Sequence, residues 1–406
     1  MRLKEHIPIL QWLPNYKRSW LKSDLFAGMT IGVILIPQGI AYAIIAGLPP
    51  IYGLYTAMIP QIVYAILGTS RQLAVGPAAM DSLIVASGIS VLAAIGSEHF
   101  IVLAVLLACM VGFFQVLFGI FHLGFLVNFL SKPVISGFTS GSAIIIGMNQ
   151  FGNLLGLDLD RSNHIHTLLL EMIRTFSDLH WPTALIGILS IILIYGIKKL
   201  NKKIPSALVV VVLGILVVYA FHLDHKGIMI LGEIPRGLPE FVIPSFDMAL
   251  MEEISGLALT LGLIGFMEAI SIAKSIEAKH NSYRVDANKE LIALGFGNIV
   301  GSFFQTYPAT AGFARTAVND QSGAKTPLSS LFAAFIIALT LLFLTPAFFF
   351  LPKAVLAAII IVAAFGLLDF SMPKNLLSYN RRDLIILNST LLITIFVGIK
   401  EGILFG

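Results

Sequence analysis

Charge is what this chain has least of. Only 12% of its 406 residues are Asp, Glu, Lys or Arg, against about 25% in a soluble globular domain. So little charge cannot coat a water-facing surface, which excludes a cytosolic enzyme, a disordered chain and a nucleic-acid binder. The basic excess is slight, 26 Lys and Arg against 22 Asp and Glu, and it sits in short connections, so it draws no stripe for a polyanion. Cysteine is nearly missing: Cys109 stands alone inside an apolar run, which excludes an intrachain disulfide and thiol-pair redox chemistry. No Ser- or Pro-rich linker divides the chain into separate domains. What the sequence does have is apolar residues, 57% of the total, with a mean hydropathy of +0.91. A polytopic membrane protein is the class that fits.

A spanning helix needs about 20 mostly apolar residues with its backbone groups satisfied internally. The runs here are too long and continuous for barrel strands, so the fold is read as all-α. Spans are predicted near 24–46, 52–68, 77–95, 100–121, 133–156, 182–198, 204–222, 253–279, 287–303, 309–322, 327–345, 353–368 and 383–399, with a last run beginning at Ile403. Pro8, Gln11, Pro14 and Asn15 interrupt any signal-peptide core, so residues 1–23 read as an interfacial or cytoplasmic segment with Trp12, Tyr16 and Trp20 at headgroup level. Basic clusters at Lys4, Lys17, Arg18 and Lys22, at Lys198, Lys199, Lys202 and Lys203, at Lys279, Arg284 and Lys289, and at Lys374, Arg381 and Arg382 all fall on one side when crossings are counted. The acidic connections 157–181 and 223–252 fall on the other. This bias predicts a cytoplasmic N-terminus.

Two segments do not read as plain spans. Gly68-Thr69-Ser70-Arg71 running to Gly76-Pro77-Ala78-Ala79-Met80-Asp81, and Gln305-Thr306-Tyr307-Pro308 running to Phe313-Ala314-Arg315-Thr316, each place an extended, polar, Gly/Pro-containing stretch ahead of a short helical run. Each is predicted to be a half-helix whose N-terminus starts inside the membrane. Such a terminus offers N–H groups and the positive end of a dipole to an anion, and non-helical backbone at this depth survives only where it lines a cavity. Each is the third span of its seven, the pattern of an inverted-repeat transporter. The alternative is two ordinary Pro/Gly kinks with no ligand.

At these residues the chain resembles the sulfate permease-type anion transporters. The resemblance rests on Leu35-Ile36-Pro37-Gln38-Gly39-Ile40-Ala41-Tyr42-Ala43, on Gly47-Leu48-Pro49-Pro50-Ile51-Tyr52-Gly53-Leu54-Tyr55, on Gly68-Thr69-Ser70-Arg71 through Gly76-Pro77, on Tyr307-Pro308-Ala309-Thr310 through Arg315, and on Ser322-Gly323-Ala324-Lys325-Thr326-Pro327. It covers essentially the whole chain and looks closest to bacterial permeases, which implies a bacterial inner membrane. It implies a 7+7 inverted repeat with a core near 24–121 and 253–345, a gate near 133–222 and 353–406, elevator movement, and an anion between the third and tenth segments. The family normally continues into a cytoplasmic STAS domain, so a chain stopping near Gly406 reads as a fragment. Family members often have Ser where Ala314 stands.

By the same resemblance Gln38, Tyr42, Ala78, Ala79, Phe313 and Ala314 line the anion site. The residues themselves allow a blander account, with Gln38 bonding between helices and Tyr42 packing one turn away. A charge at mid-membrane costs about 2.5–3.5 kcal/mol, so Arg315 must face a cavity or a partner. It either adds positive potential beside an anion or forms an ion pair with Glu268. Glu268, in mid-span, is the candidate for proton or cation coupling, and proton-coupled relatives carry an acid at the matching position. Asp81, one turn into the first half-helix, is either an ordinary first-turn acid or a second coupling group.

Weaker signals lead elsewhere. Gly323-Ala324-Lys325-Thr326 lacks the spacing of a phosphate loop. His164, His166, Asp158 and Asp160 do not make a closed metal set. Ser140-Gly141-Ser142 has no base nearer than His122 at a span end, so helix packing accounts for it. The expected activity is secondary transport of an inorganic anion of the sulfate, bicarbonate or chloride class, with proton-coupled sulfate uptake first. An exchanger, a sodium–bicarbonate symporter, a dicarboxylate carrier or an uncoupled channel are the alternatives; an intramembrane enzyme is not expected. Expected partners are the anion, a coupling proton or sodium ion, the lipid bilayer and a second copy of the chain, with no cofactor, metal or nucleic acid.

Overall fold

The computed structural model describes residues 8–128, 132–159, 165–201, 204–280, 283–366, 368 and 371–397. The run from Ile403, and Lys4, Asp160, His164, Lys202 and Lys203, lie outside the described residues. In chain order the main elements are α1 (Arg18–Ile45), α2 (Pro50–Leu67), β1 (Val75–Gly76), α3 (Ala79–Ile89), α4 (Glu98–Ile120), α5 (Lys132–Asn149), α6 (Phe151–Leu155), α7 (Ile165–Thr175), α8 (Trp181–Leu200), α9 (Ser206–Phe221), α10 (Met248–His280), α11 (Ala287–Ser302), β2 (Thr310–Ala311), α12 (Phe313–Gln321), α13 (Leu328–Leu339), α14 (Lys353–Phe365), α15 (Ser371–Tyr379) and α16 (Arg381–Phe396). Among the described residues, six helices are long and apolar enough to cross a membrane: α1, α2, α4, α8, α10 and the stretch Leu328–Phe348 that extends α13. By contrast α3 has 11 residues and α12 nine. At 1.5 Å per residue neither covers much more than half of a hydrocarbon layer about 30 Å thick.

Local chemistry sets the helix starts. Pro50 opens α2, where its missing N–H costs nothing. The Ser97 hydroxyl accepts from Phe100 N at the head of α4, and the Asp286 carboxylate accepts from Asn288 N and Lys289 N at the head of α11. Several boundaries depart from the sequence reading. Helix α1 begins at Arg18, so residues 18–23 form the first turns of the first long helix. Trp12 is buried, Tyr16 donates to Asp24 Oδ2 at 3.3 Å, and the Trp12, Tyr16 and Trp20 rings meet edge to face. Span 133–156 divides at Gln150 into α5 and α6, where Gln150 N turns back to Gly147 O. Helices α7 and α15 lie in stretches expected to be loops.

The chain divides into two compact units, one of Met1–Val127 with Pro235–Thr345 and the other of Asn128–Ile234 with Pro346–Gly406. In the first, long helices approach through glycine. A Cβ on Gly53 would stand 1.9 Å from Gly39 O, and one on Gly112 would stand 2.5 Å from Gly295 O, so α1 meets α2 and α4 meets α11 backbone to backbone. The apolar core of this unit gathers Tyr64, Leu73, Val75, Phe266, Ile270 and Leu294 around the two strands. Gly53→Ala must force α1 and α2 apart at that crossing. It is expected to destabilise the protein by about 2–3 kcal/mol, read as a lowered melting temperature in detergent; an unchanged melt would mean the crossing yields without cost. In the second unit, α5 lies on α16 through Gly137 and Gly141, with Leu387 O and Thr394 against them, which is the packing role expected of Ser140-Gly141-Ser142. Its loop 229–232 pairs with 349–353, through Leu231 N to Leu351 O at 2.8 Å and Lys353 N to Met229 O at 2.9 Å.

Candidate anion site

The strands that precede the two half-helices pair with each other. β1 and β2 are antiparallel, with Val75 opposite Ala311 and Gly76 opposite Thr310. An antiparallel pair only two residues long sends its following helices away in opposite directions, so α3 and α12 both begin at one centre. Neither N-terminus is capped by a side chain: Ala78 and Gly312 occupy the cap positions in extended conformation. Each approach segment is held by the other's half-helix. Ala74 N donates to Thr316 Oγ1 at 3.1 Å and Asn319 Nδ2 to Gln72 O at 2.9 Å, while the Tyr307 and Ser82 hydroxyls meet at 3.1 Å. This reciprocity is what an internal repeat produces when its two copies of one element meet.

Arg315 joins the two starts. It is the third residue of α12, it is 3% exposed, and its Nη1 donates to the carbonyl of Pro77, one residue before the cap of α3. Gly312 allows this fold-back, because a Cβ there would stand 2.7 Å from Arg315 Cζ. Nε and Nη2 of the same guanidinium are buried without a hydrogen-bond partner. Among the described residues no ion pair joins Arg315 to Glu268 or Asp81, so the salt-bridge alternative is not the arrangement found. Glu268 Oε2, Asp81 Oδ1 and Gln38 Oε1 are likewise buried and unpartnered, although Glu268, Asp81, Tyr42 and Tyr307 all lie within electrostatic reach of the guanidinium. Unpartnered buried polar atoms are costly. Those on Asp81 and Glu268 lie within electrostatic reach of that one arginine, so three ionisable side chains with unpartnered atoms share one buried region.

Of the sequence-predicted residues, Tyr42, Glu268 and Asp81 lie within electrostatic reach of Arg315, and Ala78 caps the half-helix whose preceding carbonyl Arg315 holds. Gln38 and Tyr42 share a face of α1, Tyr42 being buried; Ala78 and Ala79 are buried at the start of α3. Phe313 is 61% exposed and Ala314 also exposed on this unit. Residues the sequence reading passed over include Tyr307 and Ser82, and Asn298, which clamps Ala309 by donating to its carbonyl at 3.1 Å and accepting its N–H at 2.8 Å. Their signal was polarity inside otherwise apolar segments. The Lys325 and Thr326 amides of the mock phosphate loop are taken by Asp24 Oδ1. Among the described residues no cluster of three or more His, Cys, Asp or Glu side chains forms a metal site.

The Sulfate permease family model matches residues 21–390. The chain belongs to that family. It is 42% identical over 420 residues to sulfate transporter 4.1, chloroplastic, of Arabidopsis thaliana, an alignment covering 100% of this chain and 61% of that protein. The chain thus spans about three fifths of that relative. The inward-facing structure of murine Solute Carrier 26 family member A9, an anion transporter, superposes with a TM-score of 0.92 at 26% identity, covering 100% of this chain and 70% of that one. The transmembrane domain of a cyanobacterium bicarbonate transporter, BicA, does so with a TM-score of 0.84 at 26% identity, covering 95% and 98%. The architecture is therefore the family's 7+7 inverted repeat, and the sulfate permease family is one of transporters and not of enzymes.

Proposed function

We propose that this sulfate permease family member is a secondary active transporter of an inorganic anion, with proton-coupled sulfate uptake as its activity. One observation carries the reading: a buried arginine that ties the two half-helix starts together and keeps two of its nitrogens, Nε and Nη2, unpartnered beside them. A guanidinium stays charged at any physiological pH, and two uncapped helix N-termini add partial positive charge from opposite sides. A tetrahedral or planar oxyanion suits such a centre. Elevator movement of the unit Met1–Val127 with Pro235–Thr345 as core against the other as gate, assembly as a homodimer, and a cytoplasmic N-terminus are the finer parts of the proposal. The first two rest on the family resemblance and the third on the Lys/Arg bias. Uptake of labelled anions into proteoliposomes under imposed proton and sodium gradients tests the central claim, which fails if no anion accumulates. Similarity to a bicarbonate transporter favours bicarbonate as the second substrate in that panel.

Coupling is assigned to Glu268, whose carboxyl stands in the middle of α10 with Oε2 unpartnered and no cation on it. A group that must be neutral for the loaded site to cross the membrane carries a proton with each turnover. Glu268→Gln imitates the protonated form permanently. It is expected to remove the proton that Glu268 carries, so that sulfate accumulates less steeply with the imposed pH difference, while leaving sulfate–sulfate exchange running. PH dependence like that of the unaltered protein would remove Glu268 from this role.

A further inference from the structure

Asp81 is the acid that the anion site leaves without a task. It is the third residue of α3 and 2% exposed, and its Oδ1 has no hydrogen-bond partner. A Cβ on Gly265 would stand 3.9 Å from its Oδ2, so the carboxyl lies against α10 one turn ahead of Glu268. The groups facing it are Glu268 from α10, Arg315 from α12 and the Tyr307 phenol, itself bonded to Ser82. Tyr42 of α1 faces Arg315 and Glu268. Arg315, 3% exposed, directs one N–H to Pro77 O and leaves Nε and Nη2 unpartnered. Two carboxyls and one guanidinium therefore share one buried site, and one carboxylate has no countercharge.

We infer that Asp81 is a second coupling residue, so that the site takes a divalent oxyanion together with two protons, one on Asp81 and one on Glu268. The inference rests on the transport reading above and adds its stoichiometry. With both acids ionised the site carries one net negative charge and repels an anion. With both protonated only the guanidinium is charged, and a bound divalent anion returns the site to one net negative charge. Loaded and unloaded forms then cross the low-dielectric layer with equal charge, which avoids the cost of moving an extra one. If Glu268 alone took a proton, the loaded site would carry two negative charges and the unloaded site one. Protonation also gives Asp81 a donor, whereas the carboxylate can only accept and would turn an oxyanion away. Each proton is taken from water on the side of uptake and returned to water on the other.

The test is the equilibrium sulfate gradient in proteoliposomes at zero membrane potential. Two protons per anion give about a hundredfold accumulation per pH unit and one gives about tenfold. The unaltered protein is expected to show the steeper law, Asp81→Asn the shallower one, and Asp81→Glu, which keeps the acid, the steeper one again. An acid that merely favours its helix N-terminus would leave the law unchanged. Should Asp81→Asn fail to fold, the count of protons taken up when sulfate binds the unaltered protein decides: about two supports the assignment and one overturns it. A shallow law in the unaltered protein, or a gradient set by sodium, also overturns it while leaving transport itself intact. No anion uptake under any gradient defeats the transport reading instead.

Discussion

Arg315→Gln is expected to lower sulfate uptake by more than about a hundredfold in protein that still inserts and runs as one species. Two losses add. The bond from Nη1 to Pro77 O is charge-assisted and joins residues 238 positions apart; such bonds contribute about 1.5–3 kcal/mol. The unpartnered Nε and Nη2 groups are the strongest positive charge available to an anion at the half-helix starts, and each 1.36 kcal/mol is about tenfold in rate. Gln is too short to reach the carbonyl from its place on α12 and brings no charge. Arg315→Lys keeps the charge but not the fork. An ammonium cannot hold Pro77 O and present two further in-plane donors, so an intermediate loss of about tenfold is expected, expressed in KM more than in the maximal rate. Normal uptake by well-folded Arg315→Gln protein would reduce the residue to a clasp between segments.

Much of this centre was legible beforehand because the background is so apolar. Gly76-Pro77 and Tyr307-Pro308 interrupt hydrophobic runs, and proline before a short helical stretch has few structural readings. Arg315, Glu268 and Asp81 stood out for the same reason: ionisable groups at membrane depth are rare. What could not be read was pairing across the chain. Nothing in the local sequence puts Val75 opposite Ala311 or aims Arg315 at Pro77, because those contacts follow from how two repeats interlock. Helix α7 was missed for another reason. Ile165, Leu168, Leu169 and Met172 recur at helical spacing, but a search for span-length apolar runs passes over an amphipathic stretch of 11 residues. Asp24 and Glu290 carry no local signal either, because Lys325 and Thr326 that bind the one, and Tyr64, Thr69 and Ser70 that bind the other, lie more than 200 residues away.

Glu290 gives the largest effect on stability expected outside the site. It sits in the first turn of α11, fully buried, and among the described residues no cation pairs with it. Four donors hold it instead: Thr69 N at 2.7 Å, Thr69 Oγ1 at 2.6 Å and Ser70 N at 3.2 Å on Oε1, and the Tyr64 hydroxyl at 2.7 Å on Oε2. Asp286 N donates in turn to Thr69 Oγ1 at 3.2 Å. The carboxylate thus anchors the head of the extended stretch that runs from Thr69 to Pro77 and so sets where the Pro77 carbonyl meets Arg315. Glu290→Ala strands several buried donors at once, each costing about 1–3 kcal/mol. The total is expected to be on the order of 4 kcal/mol, or a melting temperature lower by about 10 °C. Glu290→Gln keeps one oxygen for the three donors on Oε1 and can donate to the Tyr64 oxygen, so about 1 kcal/mol is expected. Tyr64→Phe, which removes a single bond, should cost a similar amount. In detergent melts the order is therefore Ala far below Gln and Phe, with sulfate affinity falling in the same order as the stretch loosens. An Ala variant that melts with the unaltered protein would show that water or a rearranged loop satisfies these donors, and that the approach to the first half-helix is held from somewhere else.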